Sequence, residues 1–243
     1  MIKKKSFVKE VAKDIRGYWR SLKPAYSNSH SVREFINLIW LFDKVRPYSL
    51  VLPARLGALY QLCVEIDRRL VPGDIVECGT CNGGSAGVLG YASRQSWRSR
   101  DLWLLDSFQG LPAPTEEDGA KAQDCHGAWR GSEESVREIL KALEIQDTRL
   151  HIIEGWFQET LSAVQVEKIA LLHIDADLYT SVKLCLDGFY DRVEPGGFVV
   201  LDDYGSWEGC RKAFEEFVSQ RELNVDLVRV DNGGRYFEKP RQQ

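Results

Sequence analysis

From Asp74 onward, short apolar runs rich in β-branched residues alternate with longer stretches whose apolar positions recur at helical spacing. Residues 74–77 (DIVE) read as the end of a strand, and 83–91 open a helix. A second strand is expected over 101–106 (DLWLLD). A helix over 132–143 follows, with Ser132 as its N-cap and apolar residues at 136, 139, 140 and 143. Residues 149–153 (RLHII) make a third strand, and 168–175 (KIALLHID) a fourth, apolar enough to be covered on both faces. After a helix over roughly 179–192, residues 194–197 (EPGG) read as a turn and 198–203 (FVVLDD) as a fifth strand. A helix at about 207–221 precedes two last strands, 225–231 and 235–239, joined by Asn232-Gly233-Gly234. Asn-Gly between strand-like runs signals a hairpin. The alternation predicts an α/β fold, a doubly wound and mostly parallel sheet of seven strands closed by that C-terminal hairpin. Ligands of such sheets lie beyond the carboxyl ends of the strands.

The first 72 residues lack this alternation. Helical stretches over 33–44 and 56–70 read as an N-terminal cap, which leaves 73–243 as the core. Within the core the loop 107–131 runs for 25 residues, a length that marks a lid or a substrate-binding element. Composition narrows the classes. A hydrophobic share of 44% excludes a disordered chain. No apolar run approaches the roughly 18 residues of a membrane span. Charged residues fill the place where a signal peptide would be apolar, so a cytoplasmic protein is expected. A net charge of −4 offers nucleic acid no general attraction. The six cysteines are scattered and predict no disulfide framework. Cys78-Gly79-Thr80-Cys81 has no second pair to complete a zinc site and reads as small residues in a tight turn.

The chemistry shows in what finishes each strand. Glu77 ends the first, Asp106 the second, Asp175 the fourth with Asp177 just beyond, and Asp202 and Asp203 the fifth. Carboxylates gathered on one sheet edge repel, so a cation must neutralise them or some must take up protons. Glu77 leads into Gly79-Thr80-Cys81-Asn82-Gly83-Gly84-Ser85, a glycine-rich turn onto a helix N-terminus that suits an anionic group. Asp106, at the next strand end, is placed to accept both hydroxyls of a ribose. Together they suggest an adenosine-type cofactor with a small charged tail. Asp175, Asp202 and Asp203 suggest a hard oxygen site for Mg²⁺ or Mn²⁺ rather than zinc. Helix capping stays open as the alternative for Asp177 and Asp203. His173, inside an apolar strand, reads as a hydrogen-bonded core residue. His126 in the long loop is a candidate substrate contact, while Trp129 and Arg130 are open to two readings, ordering over the cofactor or pinning the loop to the body.

The set Val76-Glu77-Cys78-Gly79, Gly83-Gly84-Ser85, Leu105-Asp106-Ser107-Phe108-Gln109-Gly110-Leu111-Pro112, Glu154-Gly155-Trp156-Phe157, His173-Ile174-Asp175-Ala176-Asp177-Leu178-Tyr179, Pro195-Gly196-Gly197 and Asp202-Asp203-Tyr204-Gly205 resembles the macrocin O-methyltransferase family from about Tyr48 to Glu238. Its members are S-adenosylmethionine-dependent, Mg²⁺-dependent enzymes that methylate sugar hydroxyls of natural products. The resemblance implies a Rossmann-like class I methyltransferase fold with a small-molecule acceptor, a sugar hydroxyl or glycosylated metabolite. It implies that Glu77, Gly79, Thr80 and Ser85 hold the methionine end of the cofactor. Asp106 would bind the ribose, with Ser107 beside it, and Gly155, Trp156 and Phe157 would border the adenine. Asp175, Asp202 and Asp203 match the metal positions. Asp175 is also the candidate general base and a cofactor contact. The chain departs from its relatives at Cys81-Asn82, where Trp-Arg or Trp-Lys is usual, and at Ala54, where Glu is common.

Two rival functions are open to the sequence. One is a metal-dependent glycosyltransferase with Asp175-Ala176-Asp177 as its DxD; the other is a non-catalytic binding protein on the same fold. The arm at residues 1–20 carries seven basic and two acidic side chains, a net +5 that leaves −9 for the rest. Phe7, Val8, Val11, Ile15, Tyr18 and Trp19 recur there at near-helical spacing. That pattern predicts a helix docked on the acidic body or on a second subunit of a homo-oligomer, in preference to a loose tail or a membrane-surface helix. Deleting residues 1–20 is expected to lower the melting temperature or shift a dimer toward monomer in sedimentation, with no flotation on anionic liposomes before or after. Flotation of the full chain that is lost on deletion would reverse this reading.

Overall fold

The computed structural model describes residues 32–241 except 95, 97 and 146, so the basic arm lies outside the described residues. Two helices come first, α1 (Val32–Val45) and α2 (Pro53–Arg68). Pro53 opens α2 at a position whose N–H would have no helical partner. The alternating part follows as β1 (Asp74–Cys78), α3 (Gly84–Arg94), β2 (Leu102–Asp106), α4 (Glu133–Ala142), β3 (Leu150–Glu154) and the single turn α5 (Phe157–Thr160). It continues with β4 (Ile169–Ile174), α6 (Tyr179–Phe189), β5 (Val193–Leu201), α7 (Glu208–Gln220), β6 (Val228–Arg229) and β7 (Arg235–Glu238). Ser132 caps α4, its side chain accepting from the Ser135 N–H at 3.2 Å.

The seven strands form one sheet in the order β3-β2-β1-β4-β5-β7-β6. β1 to β5 are parallel, and β7 pairs antiparallel with both β5 and β6. The winding reverses between β1 and β4, which is where sheets of this kind bind ligands. All six residues of β4 are buried, because apolar layers cover both faces. On one face α1 to α4 bring Leu41, Leu59, Leu89 and Ile139 onto Ile75 and Leu104. On the other α6 and α7 bring Phe189 and Phe217 onto Val76, Leu172 and Phe237. No helix among the described residues is long and apolar enough to cross a membrane.

Two local expectations need correction. Residues 194–197 lie inside β5 instead of forming a turn before it. Gly196 adopts φ +86°, and the sheet closes around it: the Gly196 N–H donates to Lys239 O at 2.9 Å and the Lys239 N–H to Gly197 O at 2.8 Å. The register against β4 shifts there, from Ile169–Val193 to Leu171–Phe198. The strand expected over 225–231 shrinks to Val228–Arg229, since Val225 and Leu227 pack on the apolar layer.

At the amino edge of the sheet Arg100 is buried, and it donates to Asp67 Oδ1 at 2.9 Å, to Val71 O at 2.7 Å and to Gly73 O. One side chain thus ties the end of α2 to the approaches of β1 and β2. Arg100→Met leaves a carboxylate and two carbonyls short of a donor and is expected to cost about 3–5 kcal/mol. Urea unfolding of the variant measures it.

Candidate active site

The sheet register builds the site. Cys78 is level with Leu105 and Ile174, and Ile174 with Leu201. The next residue of each strand, namely Gly79, Asp106, Asp175 and Asp202, therefore falls in one row at the carboxyl edge. A cavity of about 870 Å³ opens over that row.

Its first half is the turn from β1 to α3. Gly79 has φ +90°, and a Cβ there would lie 1.8 Å from Asp175 O, so only glycine lets the two strand ends meet. The Cys81 N–H donates to Asp106 Oδ2 and the Phe108 N–H to Asp106 Oδ1, both at 2.7 Å. Burial outweighs these bonds and holds the Asp106 pKa above its usual value. Thr80 is buried and lines the cavity, yet its hydroxyl has no hydrogen-bond partner. The departure at Cys81 has a visible consequence. Burial, with Asp106 nearby, pushes the Cys81 thiol up to about 11, and as a thiol it donates to Trp129 O at 3.3 Å. The turn is thereby tied to the long loop. All six cysteines are free.

The second half is acidic. Asp175, Asp177 and Asp203 each offer an oxygen within 4.8 Å of the others. Burial, then the charges of Asp202 and Asp203, holds Asp175 well above the ordinary carboxylate range. Burial and Asp203 do the same to Asp177, and burial with Asp202 raises Asp203 to about 6. Asp202 is diverted from this trio: its Oδ2 accepts from the Arg55 guanidinium, while Oδ1 lies 3.8 Å from His173 Nε2. Burial works against charge on both cations, but Asp202 and its neighbours prevail. They raise the Arg55 pKa and push His173 up to about 9.

Gly79, Thr80, Ser85, Asp106, Ser107, Gly155, Trp156, Phe157, Asp175, Asp202 and Asp203 all line the cavity. Glu77 does not. It is level with His173 across the β1–β4 ladder, is fully buried, and pairs through Oε1 with His173 Nδ1 at 3.0 Å. Glu77, expected from the sequence as a cofactor contact, is placed behind the cavity wall in a pairing inside the sheet. His173 is the buried, hydrogen-bonded core residue that its apolar strand suggested. His126 is exposed and away from the cavity, while Trp129 forms part of its wall.

The loop 107–131 is closed on itself and docked through its middle. Leu111 and Gly127–Ala128 exchange backbone bonds, with Leu111 N–H to Ala128 O at 3.0 Å and Gly127 N–H to Leu111 O at 2.9 Å. Buried Asp118 accepts the Tyr179 N–H at 2.6 Å, and Lys121 donates to Ser206 O at 3.0 Å. Sequence reasoning missed Arg55, Asp118 and Trp207, and it left Asp177 as a possible cap. The DxD spacing was the available signal for Asp177; Arg55 meets Asp202 across 147 residues and carried none.

The sequence profile of the macrocin-O-methyltransferase (TylF) family matches residues 44–239. The chain belongs to the macrocin O-methyltransferase family. The methyltransferase is 31% identical over 193 residues to demethyldecarbamoylnovobiocin O-methyltransferase of Streptomyces niveus, covering 77% of this chain and 74% of that protein. It is 30% identical over 181 residues to a Streptomyces olivaceus enzyme, 8-demethyl-8-(2,3-dimethoxy-alpha-L-rhamnosyl)-tetracenomycin-C 4'-O-methyltransferase, covering 72% and 69%. The solved structure of the O-methyltransferase NovP superposes with a TM-score of 0.74 at 30% identity, over 80% of this chain and 83% of that one. The protein is thus an S-adenosylmethionine-dependent O-methyltransferase, and the glycosyltransferase and non-catalytic readings fall away.

The unpartnered hydroxyl of Thr80 gives this methyltransferase a sharp test. Thr80→Val keeps the shape and removes a buried polar group, so the melting temperature of the free protein should hold or rise. Binding of S-adenosylhomocysteine, measured by calorimetry, should weaken by about 0.5–1.5 kcal/mol.

Proposed function

We propose that this enzyme methylates a hydroxyl of a sugar or of a sugar-bearing small molecule, with a divalent cation, Mg²⁺ or Mn²⁺, at the carboxylates Asp175, Asp202 and Asp203. The observation that carries the reading is the single row of strand ends, which sets a cofactor turn and an acid cluster into one cavity. The acceptor class is supported by the rhamnosyl substrate named for the Streptomyces olivaceus relative. The donor set fits a hard cation. Every candidate atom is a carboxylate oxygen, and Asp202 Oδ1 and Asp203 Oδ2 are buried without hydrogen-bond partners. When bound, such a cation supplies a lowered hydroxyl pKa and a fixed orientation for vicinal oxygens.

The chain's own residues do the rest. Gly79, Thr80 and Ser85 at the start of α3 receive the carboxylate end of S-adenosylmethionine, whose sulfonium supplies the methyl group. Asp106 accepts the ribose hydroxyls, with Ser107 beside it, while Gly155, Trp156 and Phe157 border the adenine. Asp175, in the row of strand ends between the cofactor turn and the other acids, takes the acceptor proton. Leu50, Leu52, Leu111 and Trp129 give the cavity an apolar wall that keeps water from the methyl group. Glu77 acts from behind, through His173, on the position of Asp202.

Labelled S-adenosylmethionine with demethyldecarbamoylnovobiocin and a panel of glycosylated polyketides tests the acceptor class. Replacing Asp202 and Asp203 together by Asn is expected to cut turnover by about 100-fold or more. Affinity for S-adenosylhomocysteine should stay within about threefold, a difference of less than 1 kcal/mol. Full turnover in EDTA would make the acid cluster structural.

A further inference from the structure

Arg55 belongs to neither the cofactor set nor the metal set, yet it is a cation that pairs with both Asp202 and Asp203. Its Nη1 donates to Asp202 Oδ2 and lies 3.9 Å from Asp203 Oδ1. Its Nε donates to both oxygens of Asp231, at 3.1 and 3.0 Å, in the loop between β6 and β7. That loop is shaped for it. A Cβ on Gly233 would lie 2.1 Å from Arg55 Nη2, and one on Gly234 would lie 3.1 Å from its Cδ. Asp231 is held in turn by the N–H groups of Gly233 and Gly234 at 2.8 and 2.7 Å. The guanidinium therefore has a permanent seat on the hairpin and a second hand on Asp202.

That second hand is the unusual feature. Asp202 sits in the row of strand ends beside Asp175, but the three carboxylates that converge are Asp175, Asp177 and Asp203. One oxygen of Asp202 faces the guanidinium, and the other is buried with no hydrogen-bond partner. We propose that Arg55 is the resident counter-ion of this cluster and that a divalent cation and Arg55 bind Asp202 at each other's expense. The inference rests on the divalent-cation reading above and adds to it a residue that sets how tightly the cation is held. Asp231 keeps the guanidinium near when Asp202 turns to the metal, so release is a partial swing instead of an expulsion.

The linkage reaches the acceptor wall. Arg55 lies in the first turn of α2, and Ser49, just before that helix, packs so closely on Gly84 that a Cβ there would lie 2.2 Å from the Ser49 Cβ. The segment 49–55 thus spans from the cofactor turn to the acid cluster, with Leu50 and Leu52 exposed along the cavity between. Loosening Arg55 from Asp202 slackens one end of that span, which Asp231 still holds, while Ser49 keeps the other.

The test is Mn²⁺ alone, titrated by calorimetry into the full chain freed of metal with EDTA at low ionic strength. Arg55→Met should bind Mn²⁺ about fivefold more tightly than the parent, because a competing charge is gone. Its metal-free melting temperature should fall, and Mn²⁺ should recover more of it than in the parent. Asp231→Asn leaves Asp202 as the main partner of Arg55 and should weaken Mn²⁺ binding about threefold; it stands in if Arg55→Met does not fold without metal. A merely structural arginine would not tighten metal binding on removal. Unchanged or weaker binding in folded Arg55→Met, or unchanged or tighter binding in Asp231→Asn, overturns the inference and leaves the metal reading standing. A parent protein that binds no Mn²⁺ overturns both.

Discussion

Like charges held a few ångströms apart in a partly dry site repel by roughly 3–4 kcal/mol per pair at an effective dielectric near 20. The carboxyl edge of this sheet gathers Asp175, Asp177, Asp202 and Asp203 under that constraint, and much of the surrounding structure answers it. His173 stands beneath Asp202 with Glu77 behind it, and Arg55 reaches in from α2. Two cations do not balance four carboxylates, Glu77 and Asp231. Three of the four are pushed toward holding protons, Asp203 to about 6. That crowding is the electrostatic ground of the divalent-cation proposal.

The proposed cofactor turn lies on the same edge, and the two halves of the cavity are built by different devices, backbone on one side and side chains on the other. On the cofactor side glycine brings chain against chain: Gly79 allows the turn after β1 to touch the Asp175 carbonyl. Asp106 spends one lone pair of each oxygen on the N–H groups of Cys81 and Phe108, which aims it without exhausting it. On the acid side the anchors are side chains from distant segments. The loop 107–131 joins the halves, through Cys81 to Trp129 near its carboxyl end and through Asp118 in its middle to the start of α6. Substitution at Cys81 thus bears on the loop as much as on the cofactor turn.

Most of the fold was legible because it rests on short-range pattern. β4 reads as a doubly covered strand since five of its six residues are apolar and the sixth, His173, pairs inside the sheet through Nδ1. Ser132 announces the start of α4 by its own side-chain chemistry. What escaped were features whose partners are remote in sequence. Residues 194–197 look like a turn until Lys239 pairs with Gly196 and Gly197 and turns them into strand. The strand before Val228 looks longer than it is because apolar side chains serve a core as readily as a ladder.

The sequence by itself determined the alternation of strands and helices, the acids at the strand ends and the glycine turn. Each is written in neighbouring residues, through side-chain period and backbone preference, and together they carried the family resemblance. Only the tertiary structure decided which acids face the cavity and which cation each one meets. Glu77 ends its strand like the other acids, and the β1–β4 register is what sets it opposite His173 and buries it. Arg55 looks like a helix residue until the fold brings it to Asp202, 147 positions away, over a hairpin whose glycines make room for it. Charge pairing acts through space and is indifferent to sequence separation, so no local pattern records it.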